Sequence, residues 1–348
     1  MRLTNYVVGY LKFMLSNNHG FAGLTGDQIA LYTKDMYEAA REAYVRKPVR
    51  YPEIYSVKTG VKGGGDKNTQ ILGAGDLDEH TTEDQDIQFE SPVQGWQYWI
   101  VYRTFSKGVP FSKNAVVDTV KLGNLLKDYA ETWGISVRNK KEEDGAKVFD
   151  RGGYTDGDAI FDGSWGDETD SNGNLMYDGY PLFNLTGNQR ATKGGGTYYN
   201  AVTGIALDPD NFETIYNLAT ATNNRDERDR VIENDVDTLL TRDGADHFLA
   251  KRLLESEKLP NGELNDINVY RNIVKPMKWA YLSDTAWYVG KAKHPSWQWH
   301  ERQKPEIRFY RREENRGYRA TIDVRWGIVI KDFRPWTRGG GTYGANPN

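Results

Sequence analysis

Apolar positions recur at helical spacing in several stretches of the chain. In QIALYTKDMYEAAREAYV (28–45), Ile29, Tyr32, Met36, Ala40 and Tyr44 share one face; Thr25 or Asp27 can cap its start, and Pro48 and Pro52 end it. A longer helix is predicted after Ser112, with Val116, Val120, Leu122, Leu125, Leu126, Tyr129, Trp133 and Val137 as one stripe. Continued to Phe149 it would be on the order of 55 Å long, with Gly134 and Gly145 as the positions where it could break. Asp208 and Pro209 open a third helix bearing Phe212, Ile215, Tyr216 and Ala219, and DGADHFLAKRLLES (243–256) reads as a fourth.

Between the first two helices the pattern changes to extended. Tyr51–Val61 is a short extended leg broken by Gly60, Gly63, Gly64 and Gly65, and a polar excursion runs on to about Glu90. The return, DIQFESPVQGWQYWIVYRTF (86–105), alternates as a strand does. Two extended legs around glycine-rich sequence predict a long β-hairpin, which is marginal in water unless it lies on something else. Residues 151–200 are an irregular insertion rich in Gly, Asp and Asn. Strands are predicted at 237–241, 267–274, 279–290, 306–314 and 318–336. Helices and strands mix without a βαβ rhythm, so the class is α+β.

A chain of 348 residues makes one large or two medium domains. Its 10 Trp and 22 Tyr suit interfaces as well as cores, and would also suit a polysaccharide cleft. The absence of cysteine removes disulfides, thiolate metal sites and cysteine nucleophiles, and favours an intracellular origin or stability gained from assembly. The first twenty residues, interrupted by Lys12, form neither a signal peptide nor a membrane span. The net charge of −4 hides an asymmetry: Arg271 to Arg338 carries 16 basic against 7 acidic residues. A solvated basic sheet face explains this, as does acidic surface meeting basic surface between copies of one chain.

Catalytic patterns are weak. Gly60–Gly65 and KGGGT (193–197) are not followed by the Lys-Ser/Thr pair or the helix start of a phosphate loop. His19, His80, His247, His294 and His300 have no metal-ligand spacing. Glu168, Asp170, Asn172 and Gly173 imitate the start of a calcium loop whose twelfth position is Gly179. Asp162, Asp167, Glu168, Asp170 and Asp178 near Trp165 and Tyr177 would serve a carbohydrate-active or carbohydrate-binding protein only if two of them faced each other across a cleft. Arg interleaved with aromatics in RFYRREENRGYR could touch nucleic acid.

The order of elements is itself distinctive. VDTLLTRDGADHFLAKRLLES, NDINVYRNIVKPMKWAYLSDTAWYVG, ERQKPEIRFYRREE, YRATIDVRWGIVIKDFRPW with its Trp326-Gly327 pair, and FSKNAVVDTVKLGNLLKDYAETWG together resemble the major capsid proteins of tailed bacteriophages, the HK-ninety-seven-type fold. The likeness covers about two-thirds of the chain; the long acidic 151–200 region departs from it, and the N-terminus has no long charged coiled segment, so an in-chain scaffolding domain is expected to be absent or removed.

The resemblance implies an α+β capsid fold with an N-terminal arm (1–50), an extended loop (51–98), a peripheral domain with a spine helix (99–150 and 297–325), a surface insertion (151–200), an axial domain (201–296 and 326–338) and a tail (339–348). It implies a non-enzymatic shell protein with no cofactor, assembled in the host cytoplasm as hexamers and pentamers of an icosahedral virion. Its partners would be scaffolding, portal and decoration proteins and packaged double-stranded DNA, with no membrane. The arm and loop would each lie on a neighbour. Candidate contacts between subunits are Lys58, Lys62, Lys67, Asp76, Asp78, Glu79 and Glu83 on the loop, Arg41 and Arg46 on the arm, and Arg308, Arg311, Arg312 and Arg316 near the C-terminus. Some family members join a loop lysine to a neighbour's asparagine. Lys58, Lys62 and Lys67 stand in the corresponding region, but no partner asparagine or assisting acid is matched, so no cross-link is expected.

Overall fold

The computed structural model describes residues 24–63, 65–71, 79, 94–118, 122–150, 152, 181–185, 190–191, 195–226, 229–258, 267–282, 285–312 and 317–341. The helices are α1 (Gly26–Val45), α2 (Tyr51–Ile54), α3 (Lys113–Asp118), α4 (Leu122–Asp150), α5 (Pro209–Asn217) and α6 (Ala245–Glu255). The strands are β1 (Tyr55–Thr59), β2 (Gly65–Ile71), β3 (Gln94–Val101), β4 (Arg103–Phe111), β5 (Arg190–Ala191), β6 (Thr197–Tyr198), β7 (Ala201–Val202), β8 (Thr238–Arg242), β9 (Lys275–Trp279), β10 (Trp287–Gly290), β11 (His294–Arg311), β12 (Tyr318–Ile330) and β13 (Trp336–Gly339). The chain divides into two compact units: residues 1–47, 105–137 and 305–324, and residues 48–104, 138–304 and 325–348.

In the first unit, α1 begins with a capping box: the Thr25 hydroxyl accepts from Gln28 N, and the Gln28 side chain accepts from Thr25 N. Met36, Ala40 and Ala43 are its buried positions. They meet the first half of α4, where Leu126, Ala130 and Trp133 are buried. Gly134 makes the approach possible, because a Cβ there would collide with the Ala40 carbonyl. Ion pairs Lys127–Asp35 (3.2 Å) and Arg46–Glu131 (3.3 Å) flank the contact. Part of the apolar surface of 24–47 is thus met within the chain, while Leu31, Tyr37 and Val45 of the same helix stay exposed. Residues 1–23 lie outside the described residues. On the sheet side, Phe309 stacks on Tyr318 (5.6 Å) and meets Phe111 (6.3 Å) and Tyr32 (6.2 Å) edge-on.

The long helix is present in two described pieces, α3 and α4, with 119–121 outside the described residues, and Leu125 and Tyr129 of the expected stripe are exposed. Ser112 Oγ accepts from Ala115 N at 3.0 Å, and α4 runs unbroken through Gly134 and Gly145 for 29 residues, about 43 Å at 1.5 Å per residue.

The second unit holds a five-stranded sheet in the order β7-β13-β10-β8-β9. Both faces of its middle are covered. Leu239, Trp287 and Val289 pack with Phe212, Ile215 and Leu218 and with Ala250, Leu253 and Leu254 of α6. On the other face Tyr288 meets Phe149 (5.0 Å) and Phe183 (5.2 Å), and Trp336 meets Phe149 (5.2 Å) and Trp297 (6.0 Å). Asp208 caps α5 as expected, its carboxylate accepting from Asn211 N at 2.8 Å. Residues 267–274, read as a strand, are a turn ordered by Asn268, and the strand starts at Lys275 instead. That strand tolerates Pro276 because β9 is an edge. The stretch 279–290 likewise contributes a strand only at 287–290.

Candidate assembly surfaces

The hairpin exists, with its outgoing leg shifted. Tyr55–Thr59 does not pair with the return leg; it lies parallel to β11, with Val57 beside Trp299 and Thr59 beside Glu301. The leg that pairs is β2, inside the polar excursion, antiparallel to β3 with Asp66 opposite Ile100, Lys67 opposite Trp99 and Asn68 opposite Tyr98. No third strand joins β2 and β3 among the described residues. Residues 72–78 and 80–93 lie outside the described residues.

Both feet of this ribbon are fixed. On the outgoing side Gly63 has φ +89°, a region only glycine enters freely, and its carbonyl accepts from Arg302 Nε at 2.9 Å. On the return side Tyr102 is buried, stacks on His300, and shares a 3.1 Å hydrogen bond between its hydroxyl and His300 Nδ1. The Tyr102 carbonyl accepts from Arg325 Nε at 3.0 Å. Two guanidinium groups thus hold the ribbon's backbone to β11 and β12 with charge-assisted bonds.

Beneath the feet lies a cluster that sequence reasoning missed: within NKKEEDGAK (139–147), Lys141, Glu142 and Asp144 are buried at 4%, 3% and 7% exposure. Lys141 Nζ donates to Glu301 Oε1 at 2.5 Å and lies over the rings of Tyr51 and Trp326, while the Tyr51 hydroxyl donates to the same oxygen at 3.0 Å. Glu142 accepts from the backbone N–H of Arg50 (2.7 Å) and Tyr51 (3.3 Å) and from Trp279 Nε1 (2.6 Å). It thereby caps α2 and fixes the chain where it turns into β1. Burial pushes the Glu142 carboxyl up from its ordinary value despite these donors. Burial also pushes Asp144 up, against Lys140 at 2.9 Å and the indole of Trp326. Glu301 moves the other way: burial alone would raise it, but Lys141 brings it below the ordinary range. The signal available in the sequence was spacing, since 141, 144 and 148 continue the period of Leu122, Leu126, Ala130, Trp133 and Val137.

The contact candidates fall in different settings. Lys58 on β1, Lys62 in the turn, Glu79, Arg41 on α1 and Arg311 on β11 are exposed. Lys67 occupies the ribbon opposite Trp99. Arg46 pairs with Glu131, and Arg308 with Glu306 two residues before it at 2.7 Å. Arg312 is half-buried, its N–H donating to Gly317 O at 2.7 Å. Asp76, Asp78, Glu83 and Arg316 lie outside the described residues, as do Asp162 to Asp178 of the insertion. Part of the C-terminal basic excess is met within the chain, by Arg271–Glu257, Lys278–Asp243 and Lys291–Asp235. Trp133, Trp279, Trp287, Trp297, Trp299, Trp326 and Trp336 are all fully buried, and Trp165 and Tyr177 of the acidic insertion lie outside the described residues. Among the described residues no three His, Asp or Glu side chains gather as a metal site, and no helix is long and apolar enough to cross a membrane.

No protein-family model matches the chain, and no curated protein matches it. Among solved structures, a chain of Mycobacterium phage Patience has a TM-score of 0.50 at 13% identity, covering 93% of this chain and 91% of that one. This protein has the HK-ninety-seven-type capsid fold of tailed bacteriophages. A chain of the procapsid of bacteriophage JBD30 is similar at 13% identity and TM-score 0.43, over 93% of this chain and 78% of that one. A virus-like particle from Pyrococcus furiosus is similar at 9% identity and TM-score 0.47, over 88% and 98%.

Proposed function

We propose that this chain is a major capsid protein whose copies assemble into a closed icosahedral shell around double-stranded DNA, with a role that is structural rather than catalytic. The observation that carries the reading is the ribbon β2–β3, held at both feet by Arg302 and Arg325 and pairing with no third strand among the described residues. A two-stranded ribbon gains too little from its own pairing to hold a fixed shape in water, so a neighbouring copy supplies the surface under it. Each contact contributes roughly 25 cal/mol per Å² of apolar surface, less the ordering of the loop, and the shell sums many of them.

The finer assignments belong to the same proposal. Residues 51–98 reach over a neighbour, 99–150 with 297–325 form the peripheral part, 201–296 with 326–338 the axial part, and subunits gather as hexamers and pentamers. Scaffolding, portal and decoration proteins and the packaged DNA would be the other partners, in a virion put together in the host cytoplasm. Purified protein examined by light scattering and negative-stain microscopy is expected to form particles of tens of nanometres; a persistent monomer would overturn the reading. Denaturing electrophoresis of those particles is expected to give one band at 39.7 kDa. A ladder would reveal a covalent cross-link and refute its expected absence.

A further inference from the structure

Positions along β11 alternate between two tasks, as the pleat of a strand dictates. Trp297, Trp299 and Glu301 turn toward the body, where they meet Phe149, Trp326 and Lys141. Gln298, His300 and Arg302 turn the other way. Arg302 holds the ribbon's outgoing foot through Gly63 O, and His300 meets the return foot at Tyr102. Gln298 and His300 are each 4% exposed, on a strand that runs between β1 and β12. Polar atoms buried this deeply need partners, and the partners decide which atoms carry hydrogen.

The assignment starts at Pro295. Its carbonyl only accepts, so the Gln298 group 2.5 Å from it is the amide NH2. The opposite orientation of that amide would set two oxygens against each other. Gln298 therefore presents its oxygen to His300 Nε2 at 3.0 Å, and that nitrogen bears a hydrogen. In the neutral ring the lone pair is then on Nδ1, where the Tyr102 hydroxyl donates to it at 3.1 Å. The three bonds run in one direction, from Tyr102 through His300 and Gln298 to Pro295 O. A proton added at Nδ1 turns the acceptor into a donor and displaces the Tyr102 O–H. It also puts a positive ring among cations. Lys58 is the register partner of His300 on β1, and Arg325 of β12 donates to Tyr102 O; on β11 itself Glu301 is engaged by Lys141 and Arg302 by Gly63. Burying a charged ring there costs free energy that a neutral ring does not.

We propose that β11 carries an acid-sensitive latch for the ribbon, in which Gln298 fixes His300 as the neutral Nε2–H tautomer and His300 in turn receives the Tyr102 hydroxyl. Gln298 is a positioning residue, acting on the return leg through the ring. A ring accepted only in its neutral form supports the leg fully above the ordinary histidine range, and the support declines as pH falls below about 6.5. On the shell reading this controls when the loop is set for a neighbour; the latch itself does not depend on that reading.

The test uses the full chain labelled with nitrogen-15 at its five histidines, with a His300→Gln sample to identify the His300 signals. At about pH 7.5 the ring should show a hydrogen on Nε2 and none on Nδ1, and Gln298→Leu should populate both tautomers. Amide exchange of the return leg, 94–103, corrected for the intrinsic rate, should quicken about tenfold one pH unit below the ordinary histidine value. Tyr102→Phe removes one oxygen and keeps the ring. Its leg should exchange faster already at neutral pH and change little more on acidification, with thermal unfolding confirming a folded body. A hydrogen on Nδ1 of the wild-type ring at neutral pH overturns the latch, and that result needs no folded Tyr102 variant. So does a Tyr102→Phe leg that responds to acid as wild type does, which would assign the response to carboxylates such as Glu142 and Asp144. Neither outcome touches the shell reading, which a wild-type chain that never forms particles overturns alone.

Discussion

The five-stranded sheet and the β2–β3 ribbon are built from similar residues and reach opposite ends. Every residue of β10 and β13 is buried, because helices α5 and α6 cover one face and the aromatic cluster around Phe149 and Trp297 covers the other. The ribbon has the same kind of apolar return strand, QGWQYWIV, yet pairs only with GDKNTQI. The difference is where each strand's complement is encoded. The sheet finds its two covering layers in its own sequence; among the described residues the ribbon has anchors for its feet and no third strand. On the shell reading proposed above, such a chain folds into a body and leaves one element to be completed by another copy.

Four measurements sharpen or break that contrast, from the largest expected effect to the smallest. Trp297→Ala removes a fully buried ring that meets Phe149 at 5.2 Å and Tyr55 at 6.0 Å, and should cost the body about 3–5 kcal/mol in denaturant unfolding. An unchanged midpoint would mean that the aromatic cluster is not the centre of the body. Lys141→Ala strands the buried Glu301 carboxylate and should cost about 3 kcal/mol, whereas Lys141→Met with Glu301→Leu should recover most of that loss. Gly63→Val puts a β-branched residue at φ +89° and should strain only the ribbon's foot, by about 1–2 kcal/mol. Body unfolding should stay as in wild type while particle yield falls; normal assembly of Gly63→Val would show that the ribbon does not need its exit angle.

The smallest effect is in pH. Glu142 has a folded value raised by burial, so its ionisation costs the folded state. Its contribution is most favourable below the unfolded value near 4.5 and declines as pH rises through the folded value. Glu301, lowered by Lys141, behaves oppositely: its contribution is full above 4.5 and is lost as pH falls through the folded value. Glu142→Gln should therefore cost more stability at pH 5 than at pH 7, and Glu301→Gln more at pH 6 than at pH 3.5. Parallel pH profiles for the two variants would contradict the opposite environments.

Much of this was legible in the sequence, and the failures have physical causes. The caps at Thr25, Ser112 and Asp208 were readable because each is a local hydrogen bond made by a short polar side chain. The long helix survived its two glycines because tertiary contact overrode propensity: Gly134 is required by Ala40, and Gly145 sits against Trp279. Residues 267–274 alternated like a strand, but Asn268 bonds to three backbone or hydroxyl groups around the end of α6 and makes a turn instead. The buried charges at 141, 142 and 144 were not found because their partners Glu301, Trp279 and Trp326 lie more than a hundred residues away. Exposed apolar residues were the least legible. Residues such as Phe248 and Ile267 look like core in a sequence, and only the folded chain shows them exposed.

The place of β13 in its sheet bears on the timing of synthesis. Trp336–Gly339 lies between β7 and β10, and the backbone just beyond it is stitched back by Gly340 N to Val202 O and by Gly204 N to Gly341 O. A ribosome delivers that strand after every other described element, so the sheet stays open until residue 339 has emerged.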